Sequence, residues 1–191
     1  MESVTVSSNG KLTASPTAIH DVLLLEPRVF GDRRGWFMES FNRETFAELG
    51  ITHDFVQDNQ SLSGRNVLRG LHYQLTQTQG KLVRVVAGEI FDVAVDIRRS
   101  SPTFGRWTAA RLSSENKKML WMPKGCAHGF LVLSDQAEVL YKATDYYAPE
   151  SERTILWNDP DLKIHWPIQA EPILSSKDLS GESFKKAQLF P

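Results

Sequence analysis

An all-β fold, an antiparallel sandwich or barrel, is what this sequence predicts, on three observations. Short β-favouring segments recur from Val22 to Tyr147, and Gly, Pro, Ser and Asn separate them. Only one early stretch carries helix signals. The strands are many and short and come at regular spacing. Residues 1–17 are polar, with an Asn-Gly pair and Pro16, and read as a loose leader before a single domain over residues 18–191. Val22 to Leu25 is the first strand, ended by Pro27. Residues 31–35 are a turn and Trp36 to Phe41 a second strand. Asn42 caps a short helix from Arg43 to Leu49, which Gly50 stops. Phe55 to Leu62 is extended, residues 63–66 turn, and Val67 to Gln74 is a strand. Leu82 to Ala87, Glu89 to Ile97, Trp107 to Leu112, Lys118 to Met122, Gly129 to Leu133 and Glu138 to Tyr147 continue the series. The tail from Glu150 to Pro191 is rich in Asp, Pro and Ser. It is expected to wrap the β-domain and to hold a short helix near Phe184.

The bulk properties set limits on function. A chain of 191 residues suits one domain with a full core. A hydrophobic content of 41% and a charged content of 24% are those of a soluble globular protein. With a net charge of −1 there is no global field to gather nucleic acid, so phosphate binding must rest on a few placed Arg and Lys. Cys126 is the only cysteine, which rules out an intrachain disulfide and suits a reducing cytosol. The first residues lack the regions of a signal peptide, and no apolar run reaches the length of a membrane span. A cytoplasmic location without a membrane partner is expected.

The chemistry concentrates in Leu68-Arg69-Gly70-Leu71-His72-Tyr73-Gln74 and in Lys81. Strand alternation sends Arg69, Leu71 and Tyr73 to one face, and Gly70, His72 and Gln74 to the other. His72 then points into whatever the sheet encloses. A base that titrates near neutral pH, with a cation beside it, suits proton abstraction next to a carbonyl. Taken alone, His72 reads more readily as a structural histidine. Pro123-Lys124-Gly125-Cys126-Ala127-His128 resembles the second half of a cupin signature, which implies a cupin-like jelly-roll barrel. The paired histidines and carboxylate of metal-binding cupins have no counterpart, since Leu71 and Tyr73 flank His72. Two histidines are too few for a transition-metal site, and no metal is expected.

Several segments taken together resemble the dTDP-4-dehydrorhamnose 3,5-epimerase family. They run in family order through residues 32–41, 55–61, 68–74, 79–84, 92–98, 101–105, the His128 turn, 141–147 and 174–178, and so span nearly everything from Thr17 to Asp178. The resemblance implies cofactor-free inversion of C3 and C5 of dTDP-4-dehydro-6-deoxy-D-glucose, through enolates formed beside the C4 ketone. It places His72 as general base, Asp178 as the partner of its other ring nitrogen, Lys81 beside the developing oxyanion and Tyr141 as proton donor from the opposite face. Arg69, with Arg34 as a second candidate, is expected on the diphosphate. Glu39, Gln57 and Asn59 fall at positions that bind nucleotide or sugar, Tyr147 at the aromatic that stacks on thymine, and His128, Glu152 and Lys177 at substrate contacts. The family also implies a homodimer with exchanged N-terminal strands, in which Arg34 and Glu39 serve the neighbouring site. A relative inverting only C3 or only C5 would keep His72, Asp178 and Lys81. A metal-dependent cupin oxygenase and a non-catalytic sugar-nucleotide-binding cupin are the more distant alternatives.

Overall fold

The structure, a computed structural model, describes residues 3–191. In chain order the first strands are β1 (Thr5–Val6), β2 (Leu12–Pro16), β3 (Leu23–Pro27), β4 (Val29–Asp32) and β5 (Gly35–Met38). Helix α1 (Arg43–Glu48) follows, then β6 (Gln57–Gly64), β7 (Leu68–Gln74), β8 (Lys81–Ala87) and β9 (Glu89–Asp96). The later elements are β10 (Trp107–Ser113), β11 (Met119–Met122), β12 (Cys126–Val132), β13 (Gln136–Ala143), β14 (Glu152–Thr154) and α2 (Ser176–Leu179). Seven strands form one sheet in the order β1-β2-β3-β11-β8-β13-β6, and five form a second in the order β10-β9-β12-β7-β14. The sheets face each other as a double-sheet jelly roll. Their edge strands are not bonded across, so the layers stay open rather than closing into one continuous barrel.

Alternating side chains fill the space between the layers. Val83, Val85, Leu120, Met122 and Val139 point in from the larger sheet. Ile90, Ala94, Leu112, Phe130 and Val132 meet them from the smaller one. Covering each about-fully buried Val or Leu is worth roughly 1.5–3 kcal/mol. The smaller sheet is buried on its other face as well. Ile155, Leu162, Ala187 and Phe190 of the tail pack over Leu71, Tyr73, Val93, Val95 and Ile97. That double cover explains the near-continuous apolar run of β9. Gly88 is the whole connection between β8 and β9, which lie in different sheets. Its φ of +76° makes the corner, and a Cβ there would meet the Gln136 carbonyl oxygen.

Three expectations need correction. The N-terminal segment is not a loose leader within the described residues: β1 and β2 extend the larger sheet, and Leu12 and Ala14 are buried against Leu25 and Phe46. Leu12-Thr13-Ala14-Ser15 alternates apolar and polar, the pattern of a half-buried strand. The tail helix forms at α2, not near Phe184. Ser175 caps it in a reciprocal capping box with Asp178, whereas Phe184 packs beside Phe104 in a non-helical turn. The strand expected over Trp36 to Phe41 is shorter: it ends at Met38 and pairs only with β4. Helix α1 begins at the Asn42 cap, whose side chain accepts from the Glu44 and Thr45 amides.

Candidate active site

A cavity of about 280 Å³ opens between the two sheets. Asn59 and Ser61 of β6, Lys81 of β8 and Tyr141 of β13 line it from the larger sheet. Arg69, His72 and Gln74 of β7, His128 and Phe130 of β12 and Glu152 of β14 line it from the smaller one, with Lys177 of α2 at the edge.

Simple alternation placed Arg69 and His72 on opposite faces, yet both line the cavity. The ladder between β7 and β12 pairs His72 with His128 but Arg69 with Phe130, so β7 carries an extra residue there. The bulge re-aims Arg69 toward the cavity. Gly70 makes it possible: its φ is +122°, and a Cβ would lie 2.5 Å from the Gly129 Cα. The Arg69 guanidinium, anchored on Ser63 Oγ at 3.0 and 3.1 Å, keeps further donors free for an anion.

His72 Nε2 lies 2.7 Å from Asp178 Oδ1. The Asp178 carboxylate is itself held by the Gly70 amide at 3.0 Å and by the Ser175 hydroxyl and amide at 2.5 and 3.2 Å. Burial opposes ionisation of Asp178, but these hydrogen bonds outweigh it and hold the carboxyl well below the usual range. A carboxylate there requires His72 to carry its proton on Nε2, which leaves the Nδ1 lone pair free. Burial pushes His72 below its ordinary value; Asp178 opposes this and the charges of Lys177 and Lys81 reinforce it. The ring is therefore a neutral base near neutral pH.

Burial pushes Lys81 down to about 8, against the pull of Glu152 and Asp92. Its ammonium sits 5.9 Å from the centre of the Tyr141 ring. Burial and the Glu152 charge raise Tyr141, so its phenol stays protonated and can donate. His72 and Tyr141 come from opposite sheets. A flat group held between them would meet a base on one side and an acid on the other.

A second network lies at the mouth. Tyr147 donates its hydroxyl to Glu152 at 3.0 Å, and Lys177 donates to the same carboxylate at 2.6 Å. The Tyr147 amide donates to Gln57 at 2.9 Å, and Gln57 in turn donates to Asn59 at 3.0 Å. Tyr147 is 53% exposed, so its ring is open to stacking. Arg34 and Glu39 are not brought to this cavity. Arg34 pairs with Asp32 at 2.6 Å on the exposed β4–β5 hairpin, and Glu39 pairs with Lys11 at 3.1 Å. Sequence reasoning missed Asp92, which is fully buried and bonded to His128. The signal was an acid in the middle of an apolar strand. Among the described residues, no group of three or more His, Cys, Asp and Glu is placed to hold a metal ion.

The comparisons agree on one family. The family model described as dTDP-4-dehydrorhamnose 3,5-epimerase matches residues 16–186. The dTDP-4-dehydrorhamnose 3,5-epimerase of Pseudomonas aeruginosa is 61% identical over 94% of this chain and all of its own length. The crystal structure of the dTDP-6-deoxy-D-glucose-3,5-epimerase of Legionella pneumophila, in complex with dTDP-4-keto-L-rhamnose, is similar with a TM-score of 0.91. It shares 53% identity, covering 93% of this chain and 95% of that one. A 3′-monoepimerase from Streptomyces bikiniensis in complex with dTDP-quinovose has the same fold at a TM-score of 0.83. Its identity is 36%, covering 89% of this chain and 87% of that one. Matched along nearly its whole length in sequence and in backbone, the chain belongs to the dTDP-4-dehydrorhamnose 3,5-epimerase family.

Proposed function

We propose that this chain converts dTDP-4-dehydro-6-deoxy-D-glucose to dTDP-4-dehydro-L-rhamnose by inverting C3 and C5. The observation that carries the reading is the Asp178-held His72 facing the Tyr141 phenol across a cavity that also holds Lys81. His72 Nδ1 removes the proton α to the C4 ketone, and the electron pair moves onto O4 as an enolate. The Lys81 ammonium stabilises that oxyanion. Tyr141 returns a proton from the other face, which inverts the carbon. One proton leaves and one arrives at each centre, so the reaction has no redox balance to close and needs no redox cofactor. Arg69 serves the diphosphate and Tyr147 the thymine ring, with Gln57, Asn59, His128, Glu152 and Lys177 on the nucleotide and sugar. The buried, unpaired Cys126 suits a reducing cytoplasm. Incubation in D2O followed by mass spectrometry of the recovered sugar nucleotide tests the reading: deuterium gain supports it, and no gain with folded protein contradicts it.

Lys81→Met is expected to lower kcat by about 10²–10³-fold, the usual cost of one oxyanion donor. The sign of the pH effect follows from the charge: Lys81 stabilises O4 only while protonated. Wild-type kcat/KM should therefore fall on an alkaline limb near pH 8, where Lys81 titrates. The pH profile of Lys81→Met should lack that limb.

We also infer a homodimer built through the β4–β5 hairpin, which would bring Arg34 and Glu39 to the neighbouring site. The hairpin leaves Phe30, Trp36 and Phe37 at 42, 57 and 69% exposure. Among the described residues its strands pair only with each other. Phe37→Glu should yield monomers by sedimentation and lower activity by at least about tenfold, because desolvating a carboxylate in an apolar interface is costly. A fully active monomer would contradict the exchange.

A further inference from the structure

Asp92 stands in the middle of β9 with no exposure to solvent, on the face that points between the sheets. Its Oδ1 lies 2.7 Å from His128 Nε2, and its buried Oδ2 has no hydrogen-bond partner among the described residues. Buried carboxylate oxygens are almost always satisfied, so an orphan oxygen marks a place where something other than stability is served. Asp96, two inward positions along the same strand, shows the contrast. Its carboxylate accepts from Arg98, Ser101 and Thr103, a satisfied structural cluster away from the cavity.

His128 lines the cavity and sits directly opposite His72 in the β7–β12 ladder. The site therefore holds two His–Asp pairs side by side. His72 is held by a carboxylate from the tail, His128 by one from β9, the strand beside its own in the same sheet. We propose that Asp92 is a positioning residue: it fixes His128 as the Nε2–H tautomer, so that the ring presents Nδ1 as an acceptor for a hydroxyl of the bound sugar. The inference rests on the epimerase reading and assigns Asp92 no contact with the substrate. A carboxylate accepts only, so Nε2 must donate to it and the lone pair is forced onto Nδ1. An acceptor at that point orients a hydroxyl-bearing ring without competing with His72 for the α-protons. Phe130, its ring centre 6.2 Å from that of His128, flanks the imidazole along the same strand.

The test begins with wild-type protein labelled with 15N-histidine, the His128 signals being assigned by their loss in His128→Ala. The expected spectrum shows a protonated Nε2 and an unprotonated Nδ1. An Nδ1–H tautomer, or a ring protonated on both nitrogens at neutral pH, overturns the proposal. This readout needs no turnover and no folded Asp92 variant, so it separates failure here from failure of the epimerase reading. Asp92→Asn should then redistribute the His128 tautomers and lower kcat about 10–100-fold, a loss of the size that follows removal of the carboxylate behind a metal-ligating histidine. KM should change by less than about threefold. In a His128→Ala background, adding Asp92→Asn should cost less than about twofold further, because the two act as one unit. Multiplying losses would mean that Asp92 does not act through His128.

Discussion

His72→Ala is expected to lower epimerisation by about 10²–10⁴-fold while leaving dTDP affinity within about threefold. The size follows from the role. In the proposed mechanism His72 is the base for the substrate α-proton, acting through Nδ1 while Asp178 engages its other nitrogen. His128, its neighbour across the strand pair, is held by Asp92 in the same way, and its Nδ1 is the one proposed above to accept from a sugar hydroxyl. In the proposed reading Arg69 takes the diphosphate and Tyr147 the thymine; their hydrogen bonds run to Ser63, Gln57 and Glu152 and not to His72, so binding should survive. Removing an imidazole from a half-buried strand position leaves room that water can fill, and the fold should persist. Steady-state kinetics with calorimetric titration of dTDP separates the two effects. Near-normal turnover by folded His72→Ala would end the mechanism.

Asp178→Asn should cost about 10³–10⁴-fold in kcat, since the corresponding change in a Ser-His-Asp triad costs about 10⁴-fold through the wrong tautomer. All four hydrogen bonds at Asp178 point toward its two oxygens, from His72, Gly70 and the amide and hydroxyl of Ser175. An amide group must turn its NH2 toward one of these donor sets. Turned to His72, it forces the proton onto Nδ1 and removes the base. Turned to Ser175, it unseats the capping box that begins α2. Stability should fall by about 1–3 kcal/mol, the cost of a buried unsatisfied donor. There is also a pH signature with a definite sign. Asp178 raises the His72 pKa, while burial lowers it. Without the carboxylate, the acidic limb of any residual activity moves to lower pH, because the free base persists further down. An acidic limb left in place would show that Asp178 does not hold the base.

The β-class was legible because its signals are local. Turn residues at short intervals, and the Asn42 cap with Gly50 behind α1, depend only on neighbours in the chain. The leader was misread because polarity was weighed over alternation: Leu12 and Ala14 are two small apolar positions, and only the site against which they pack, Leu25 and Phe46, gives them meaning. The Arg69 position was not legible from period-2 reasoning. The bulge at Gly70 is settled by close approach of two backbones, Gly70 against Gly129, which are far apart in sequence. The His72–Asp178 pair spans the same kind of gap. Resemblance pointed to it, and the fold explains it: α2 lays the Asp178 side chain under the Gly70 amide. Asp92 was visible as an acid in an apolar strand, but so was Asp96, and the sequence does not say which of the two has a histidine in front of it.

In the proposed mechanism one cavity inverts two carbons, with base and acid on opposite sheets. NMR in D2O with wild-type protein and dTDP-4-dehydro-6-deoxy-D-glucose, following deuterium entry and configuration at C3 and C5, is the direct test. Exchange and inversion at both carbons are expected. Inversion at a single carbon would contradict the double epimerisation, and exchange at neither would contradict the assignment of His72 as the base.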